Sequence, residues 1–179
     1  MGKTTSKLNH SKWFGKNHRR VICVGLKGAG KSALTSILVE KYPRAAKPLP
    51  EIGCYKFKVN KFTIAFYDLK GDEQSRFFWR HHFEGSQGVI FVIDLTDGST
   101  LETARSGLKE LINDSQLKDL PFLIYGNKTD LTPWTKSNFC NFLELSERNN
   151  CQVCLSSMIA GEGVFEGFEW LLSKMIGVD

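Results

Sequence analysis

Short apolar runs alternate along the chain with longer segments in which apolar residues recur every three or four positions. The runs at 20–25, 88–94 and 121–127 are almost continuously apolar, which is typical of parallel strands buried on both faces. A further short run at 152–156 predicts another strand. Because a helical segment follows each run, the pattern predicts βαβ units and therefore an α/β fold on a mostly parallel sheet.

The helical periodicity predicts one long helix after each of those strands. These helices cover residues 31–41, 100–113, 134–148 and 163–176. Two shorter segments, 55–59 and 62–68, flank a two-residue turn and predict a hairpin, the one antiparallel element. The segment 42–50 contains three prolines and is expected to be a loop. In total we expect a six-stranded sheet with about five helices on its two faces.

The composition is that of one soluble domain, with 179 residues of which 41% are hydrophobic and 24% charged. The longest purely apolar run, 89–93, is far shorter than the about 20 residues of a membrane span, and no signal peptide is evident. We therefore expect a cytoplasmic protein with five free cysteines, an odd number that does not suit a disulfide framework. Cys151 and Cys154 form a CxxC without a second ligand pair, which favours ordinary strand residues over a zinc or redox site.

The net charge of +5 is concentrated near the N-terminus. Residues 1–20 contain six basic side chains and no acidic one, which leaves 18 basic and 19 acidic residues in the remaining chain. We therefore divide the chain into a basic arm, 1–18, and a folded domain, 19–179. A nucleic-acid-binding domain more often spreads its basic residues over a folded face, so the arm favours an anionic membrane surface and no nucleic acid.

The segment 25–32 matches GxxxxGKS, the P-loop motif, directly after a predicted strand and at the start of a predicted helix. In this context the backbone N–H groups surround a β-phosphate, Lys31 reaches the β- and γ-phosphates, and Ser32 offers its hydroxyl to Mg²⁺. A glycine-rich turn with a capping lysine is the alternative interpretation. The candidate phosphate-binding residues are Leu26, Lys27, Gly28, Ala29, Gly30, Lys31, Ser32 and Ala33.

Two further motifs also follow predicted strands. Asp68 ends one strand and can hold a metal-bound water, while the N–H of Gly71 can face the γ-phosphate. After another strand, the Asp130 carboxylate can accept hydrogen bonds from the N1–H and the amino group of guanine, a donor pair that adenine lacks. Lys128 would lie along the base, and Asn127 would tie this loop to the P-loop. The order of the three motifs predicts a guanine-nucleotide site.

Together these motifs resemble the small GTPases of the Arf and Arf-like family over residues 19–177. The most specific similarities are the segments 25–26, 50–53, 79–83 and 161–171. The resemblance implies the P-loop small GTPase fold, binding of GTP or GDP with Mg²⁺, and a third base-binding loop at Ser157 and Met158, where the Met158 N–H would meet guanine O6. It also implies a monomer with exchange-factor, activating-protein and effector partners. Such a protein cycles between the cytosol and membranes, with the Golgi or another endomembrane expected.

The chain departs from the family pattern around the γ-phosphate. Glu51 of the first switch replaces a threonine that ligates Mg²⁺ in the GTP state, which puts its own role as a metal ligand in question. In the second switch, Lys70 and Asp72 replace a glycine and the catalytic glutamine, and Lys27 replaces a usually acidic P-loop residue. Gly71 and Asp72 are the candidate catalytic residues, and Asp72 stands at the glutamine position. Its side chain is too short to replace glutamine and has no amide N–H, so we expect deficient catalysis. Drift with weak nucleotide binding and an altered nucleotide cycle both remain open.

The face that the family presents to effectors differs as well. Cys54, Tyr67 and His82 stand where the family usually has three large aromatic residues. Effectors that recognise an aromatic triad are therefore expected to bind poorly.

The first six residues fit MGxxx[ST], a signal for myristoylation of Gly2. One acyl chain gives only marginal membrane binding, so the basic residues of the arm would supply the second signal. Trp13 and Phe14 can insert at the membrane interface. The arm is therefore predicted to dock on membranes.

These observations predict a guanine-nucleotide-binding switch that is recruited to membranes and engages effectors in vesicle or membrane trafficking, with weak GTP hydrolysis. The alternative is a pseudo-GTPase scaffold locked in one nucleotide state, which Glu51, Lys70 and Asp72 favour. A P-loop ATPase or kinase is disfavoured by the base-binding motif at 127–130.

Overall fold

A six-stranded sheet forms the centre of the protein, as seen in a computed structural model that describes residues 17–46, 48, 53–145 and 150–177. The strands are β1 (His18–Val24), β2 (Cys54–Val59), β3 (Phe62–Asp68), β4 (Gly88–Asp94), β5 (Phe122–Asn127) and β6 (Cys151–Ser156). Their order across the sheet is β2-β3-β1-β4-β5-β6, and only the β2–β3 pair is antiparallel. The predicted α/β fold with one hairpin is thus confirmed.

Five α-helices occur in the described segments of the chain. They are α1 (Lys31–Lys41), α2 (Glu73–Arg76), α3 (Leu101–Asn113), α4 (Lys136–Leu143) and α5 (Val164–Ile176). Two 3₁₀ turns, Trp79–His82 and Thr129–Leu131, complete the regular structure. None of these helices combines the length and the apolar character needed to cross a bilayer.

Helix α4 is shorter than the 15 residues that the periodicity of 134–148 predicted. It begins after Thr135, whose side-chain oxygen accepts the backbone N–H of Asn138. Trp134 stays outside the helix, since its indole N–H donates to the carbonyl of Leu95 at 3.2 Å. The helix ends where Glu144 adopts a left-handed φ of 49°. A capping residue and a tertiary hydrogen bond override the apolar periodicity at the start of the helix, and the left-handed backbone of Glu144 overrides it at the end.

Two apolar clusters cover the two faces of the sheet. Side chains alternate along β1, so that Val21 and Cys23 belong to one cluster while Ile22 and Val24 belong to the other. Helices α1 and α5 pack on the first face, and α3 and α4 on the second. Burial on both faces is the physical reason for the nearly continuous apolar runs in the central strands.

The parallel strands all end at the same edge of the sheet. In the register of the sheet, Cys23 of β1 lies beside Asp68 of β3, and Asn127 of β5 lies between Asp94 of β4 and Ser156 of β6. Loops that follow these strands therefore meet at one edge, which is where open α/β sheets bind ligands.

Candidate functional site

The P-loop connects β1 to α1 at the carboxyl edge of the sheet. Helix α1 starts after Gly30, which has a left-handed φ of 108° and provides no side-chain cap. A Cβ atom at this position would lie 2.2 Å from the Asn127 amide nitrogen, so glycine is required both by backbone conformation and by space. The first N–H groups of α1 consequently have no side-chain acceptor and are available to an anion.

The ammonium group of Lys31 is held by the loop itself. It donates to the carbonyls of Gly25 at 2.9 Å and Leu26 at 2.8 Å. Burial lowers the pKa of Lys31 below its ordinary value, an effect that Cys23, Asp68 and Asp72 oppose. Since an ammonium group has three N–H donors, one remains for a phosphate oxygen.

Ser32 and Asp68 lie in the same cavity, which has a volume of about 710 Å³. Asp68 accepts a hydrogen bond from the Thr35 hydroxyl at 3.2 Å, which fixes the carboxylate beside α1. A hydroxyl and a single carboxylate fit Mg²⁺, which prefers oxygen ligands and is commonly shared with substrate phosphates. No cluster of three or more potential metal-ligating side chains occurs in the part of the chain that the structure describes. Glu51, the third candidate, lies outside that part.

Gly71 packs directly against the P-loop. Its carbonyl accepts the backbone N–H of Lys27 at 3.1 Å, and a Cβ atom on Gly71 would lie only 2.0 Å from the Gly25 carbonyl oxygen. The structure therefore brings the second switch into contact with the P-loop.

Asp72 lines the cavity, but its carboxylate serves as the N-cap of α2. Its Oδ1 accepts the backbone N–H of Ser75 at 3.0 Å. The hydrogen bonds from Ser75 hold the pKa of Asp72 below its ordinary value. The carboxylate at the catalytic position is therefore engaged by the second switch itself, a local role that the sequence analysis did not anticipate although Asp is a preferred N-cap residue.

Asn127 connects three loops. Its buried side-chain amide donates to the carbonyl of Ala29 at 2.8 Å, which is the expected tie to the P-loop. Its Oδ1 accepts the backbone N–H of Met158 at 3.0 Å and lies 3.4 Å from the Ser156 hydroxyl. The Met158 N–H, which the resemblance assigned to guanine O6, thus has an acceptor within the protein. Ser157 exchanges backbone hydrogen bonds with Glu162 and is buried.

The other two residues of this motif differ in their surroundings. The ammonium group of Lys128 forms an ion pair with Asp94 at 2.5 Å. Burial raises the pKa of Asp94, but hydrogen bonds from Lys128 and Thr96 outweigh it and leave the pKa below its ordinary value. Asp130 is exposed in the 3₁₀ turn and accepts no hydrogen bond from the described residues, so its carboxylate is open to a ligand.

Asp94 and Thr35 were missed by the sequence analysis. Each of them contacts a candidate residue. Asp94 forms an ion pair with Lys128, and the Thr35 hydroxyl donates to the Asp68 carboxylate. The position of Asp94 at the end of a strand was a usable signal, because every parallel strand end contributes to this edge.

The three residues predicted for the effector face lie close together, and Cys54 pairs with Tyr67 in the β2–β3 register. The rings of Tyr67 and His82 are 5.5 Å apart, and the Arg20 guanidinium lies 4.2 Å from the centre of the Tyr67 ring. Arg20 and Arg19 are residues of β1, and Arg19 donates to the Met175 carbonyl at 2.9 Å. Counting these two arginines with the charges of the N-terminus was therefore wrong, because both are partly buried in the folded domain. Residues 1–16, including Gly2, lie outside the described residues.

The chain is similar to known proteins both in sequence and in structure. A sequence model of the ADP-ribosylation factor (Arf) family matches residues 4–175. The structure is similar to that of the Arl6 BBS3 small GTPase from Trypanosoma brucei with a bound nucleotide analogue, GppNp. The two chains are 21% identical with a TM-score of 0.76, and the match covers 90% of this chain and 99% of the other. At this identity the structural similarity concerns the fold alone.

Proposed function

The chain belongs to the ADP-ribosylation factor family, which has a GTP-binding switch fold, and we propose that it binds guanine nucleotides as a switch with at most slow hydrolysis. The observation that carries the proposal is the side chain of Asn127, which bonds to Ala29 of the P-loop and to Met158 of a third loop. One buried amide thus fixes the spacing between a phosphate-binding loop and two candidate base-binding loops. A ligand with phosphates at one end and a base at the other suits this spacing.

The phosphate end of the proposal rests on Lys31 and the uncapped N-terminus of α1. Both present N–H donors toward the cavity, and a helix N-terminus favours anions. Ser32 and Asp68 would hold Mg²⁺, the latter through water. The ion, when bound, would neutralise part of the phosphate charge.

The base end of the proposal rests on Asp130. Its exposed carboxylate can accept both the N1–H and the amino group of guanine, whereas adenine offers no such pair. GTP and GDP should therefore compete for the site, and ATP should not.

Displacement of a fluorescent GDP from the purified full-length chain tests this selectivity. Asp130→Asn should weaken guanine binding by at least about 2 kcal/mol, because an acceptor becomes a mismatched amide. The same variant should bind xanthosine diphosphate better than the wild type does, since the C2 oxygen of xanthine accepts where guanine donates. Asp119→Asn, an exposed change before β5, is the matched control and should leave all affinities unchanged. Equal displacement by ATP and GTP would overturn the proposal.

A pseudo-GTPase scaffold is the second candidate, and the engagement of Asp72 by Ser75 favours it. Such a protein would bind nucleotide and partners without coupling the two. Pull-down of interacting proteins with the chain loaded with GDP or with a non-hydrolysable GTP analogue separates the candidates. Different partners in the two states support the switch, and identical partners support the scaffold.

Membrane recruitment through the arm is a further part of the proposal, with effectors and a role in vesicle trafficking at an endomembrane. It is supported by the myristoylation motif at Gly2 and the charge of Lys3, Lys7, Lys12 and Lys16. Gly2→Ala, which removes the acylation site, should lower binding to vesicles that contain phosphatidylserine, compared with the acylated wild type. Neutralising the four lysines should weaken binding most at low salt, because exposed charges are screened over about 8 Å at physiological ionic strength.

Sedimentation with vesicles measures both effects. A variant with four exposed lysines of the folded domain neutralised serves as the control for net charge. Those lysines are Lys58, Lys61, Lys118 and Lys136. Unchanged sedimentation of both arm variants would mean that the arm is not the anchor.

A further inference from the structure

We propose that Lys27 and Lys70 form a cationic subsite for the terminal phosphate of a nucleoside triphosphate, and that this subsite makes nucleotide binding less dependent on Mg²⁺. The inference rests on the proposed function, since it concerns the same cavity. It goes beyond that function by assigning a task to two lysines that depart from the family pattern.

Three lysines converge on one cavity of about 710 Å³, namely Lys27, Lys31 and Lys70. Of the three, only Lys31 donates hydrogen bonds from its ammonium group to residues in the described part of the chain. The ammonium groups of Lys27 and Lys70 make no hydrogen bond or ion pair with the residues that the structure describes, and both side chains are exposed. Two cations in this cavity are therefore available to a ligand.

The backbones that carry these two side chains are fixed. The Lys27 N–H donates to the Gly71 carbonyl at 3.1 Å, which joins the P-loop to the second switch. The Lys70 carbonyl accepts the indole N–H of Trp79 at 2.8 Å, and Trp79 is itself buried in the core. Anchored backbones keep both residues at the cavity, so a ligand has to order only their side chains.

The three lysines of the cavity outnumber its two described acidic residues, although the charge of Lys70 acts on Asp72 and both carboxylates act on Lys31. The two acidic residues are Asp68, which accepts from Thr35, and Asp72, which accepts the N–H of Ser75. The remaining excess of one positive charge favours an anionic ligand. A terminal phosphate bound next to Lys31 is such a ligand, and its oxygens can accept from lysine donors.

A divalent ion ordinarily compensates the charge of the β- and γ-phosphates. Where protein cations share this task, removal of the ion should cost less affinity. Because the subsite serves the terminal phosphate, its effect should be greater for a triphosphate than for GDP.

The test is equilibrium binding of fluorescent GppNp and fluorescent GDP to the full-length chain, with excess Mg²⁺ and with EDTA. In the wild type, removal of Mg²⁺ should weaken GppNp binding by no more than roughly tenfold, and each of Lys27→Ala and Lys70→Ala should add about a further tenfold. GDP binding should change much less in both variants. Lys27→Arg and Lys70→Arg, which keep the charge, should behave like the wild type.

Lys118→Ala removes an exposed lysine at the opposite edge of the sheet and is the matched control. Circular dichroism verifies that each variant is folded. The double variant Lys27→Ala with Lys70→Ala completes the set. If EDTA weakens GppNp binding of the wild type as much as that of the double variant, the subsite is overturned while the proposed function stands. If the wild type binds neither nucleotide in the presence of Mg²⁺, the proposed function fails together with the subsite.

Discussion

The carboxylate of Asp72 accepts the backbone N–H of Ser75 at 3.0 Å and so caps the helix α2 of the second switch. Asp72 occupies the position at which related GTPases carry the glutamine that orients the attacking water. In this chain the side chain at that position is short, anionic and already engaged. The geometry of the second switch therefore argues against efficient hydrolysis.

We expect intrinsic GTP hydrolysis far below about one turnover per minute, with nucleotide binding retained. Asp72→Gln alone should restore little, because Glu51 still stands where the family has a metal-ligating threonine. The pair Glu51→Thr with Asp72→Gln should restore more than the sum of the single changes. Single-turnover hydrolysis on purified protein measures this, and brisk wild-type turnover would contradict it.

The capping role of Asp72 gives a separate prediction about stability. Asp72→Ala should lower the free energy of unfolding, because the N–H of Ser75 loses its acceptor, whereas Asp72→Asn should preserve it. Urea denaturation without nucleotide compares the three proteins. Equal stability of the alanine and asparagine variants would show that the cap contributes nothing.

Loss of the Asn127 side chain should lower the free energy of unfolding even in the absence of ligand. Asn127→Ala leaves the Ala29 carbonyl and the Met158 N–H without their buried partner, which should destabilise the fold by at least about 2 kcal/mol. Asn141→Ala, an exposed change on α4, is the control and should stay within about 0.5 kcal/mol of the wild type. Chemical denaturation of nucleotide-free protein is the measurement, and equal effects of both changes would contradict the assigned role.

His82 should make stability fall at mildly acidic pH. Burial lowers its pKa from the ordinary value of 6.5, and the charge of Arg20 and the neighbouring His81 act in the same direction, while Tyr67 packs against its ring. The folded state therefore keeps His82 neutral, and the unfolded chain binds a proton more readily just below pH 6.5. Stability should accordingly decrease as the pH falls from 6.5 toward the lower pKa of the folded state.

Thermal unfolding of wild type, His82→Gln and His81→Gln over this pH range tests the assignment. His82→Gln should flatten the pH dependence, because the titrating group is gone. His81→Gln is the control and should retain most of it. An unchanged profile in His82→Gln would assign the pH dependence to another group.

Much of the fold and part of the site could be predicted from short stretches of sequence. The strand at 88–94 and the helix at 31–41 have the same bounds in the sequence analysis and in the structure. The tie between Asn127 and the P-loop was expected and is present. These features depend on apolar periodicity and on motif residues at strand ends, which neighbouring positions in the sequence already specify.

Only the tertiary structure decided the features that depend on segments distant in sequence. The charge of Arg20 was counted with that of the arm, but β1 brings its guanidinium to Tyr67. Lys128 pairs with Asp94 because β4 and β5 are neighbours in the sheet. Trp134 stays outside α4, and its indole N–H donates to the carbonyl of Leu95, 39 positions earlier in the chain. By itself, then, the sequence determined the fold class and the motifs that follow the strands. The partners of the charged side chains at this edge were decided by strand order and packing, since these interactions exist only once distant segments are in contact.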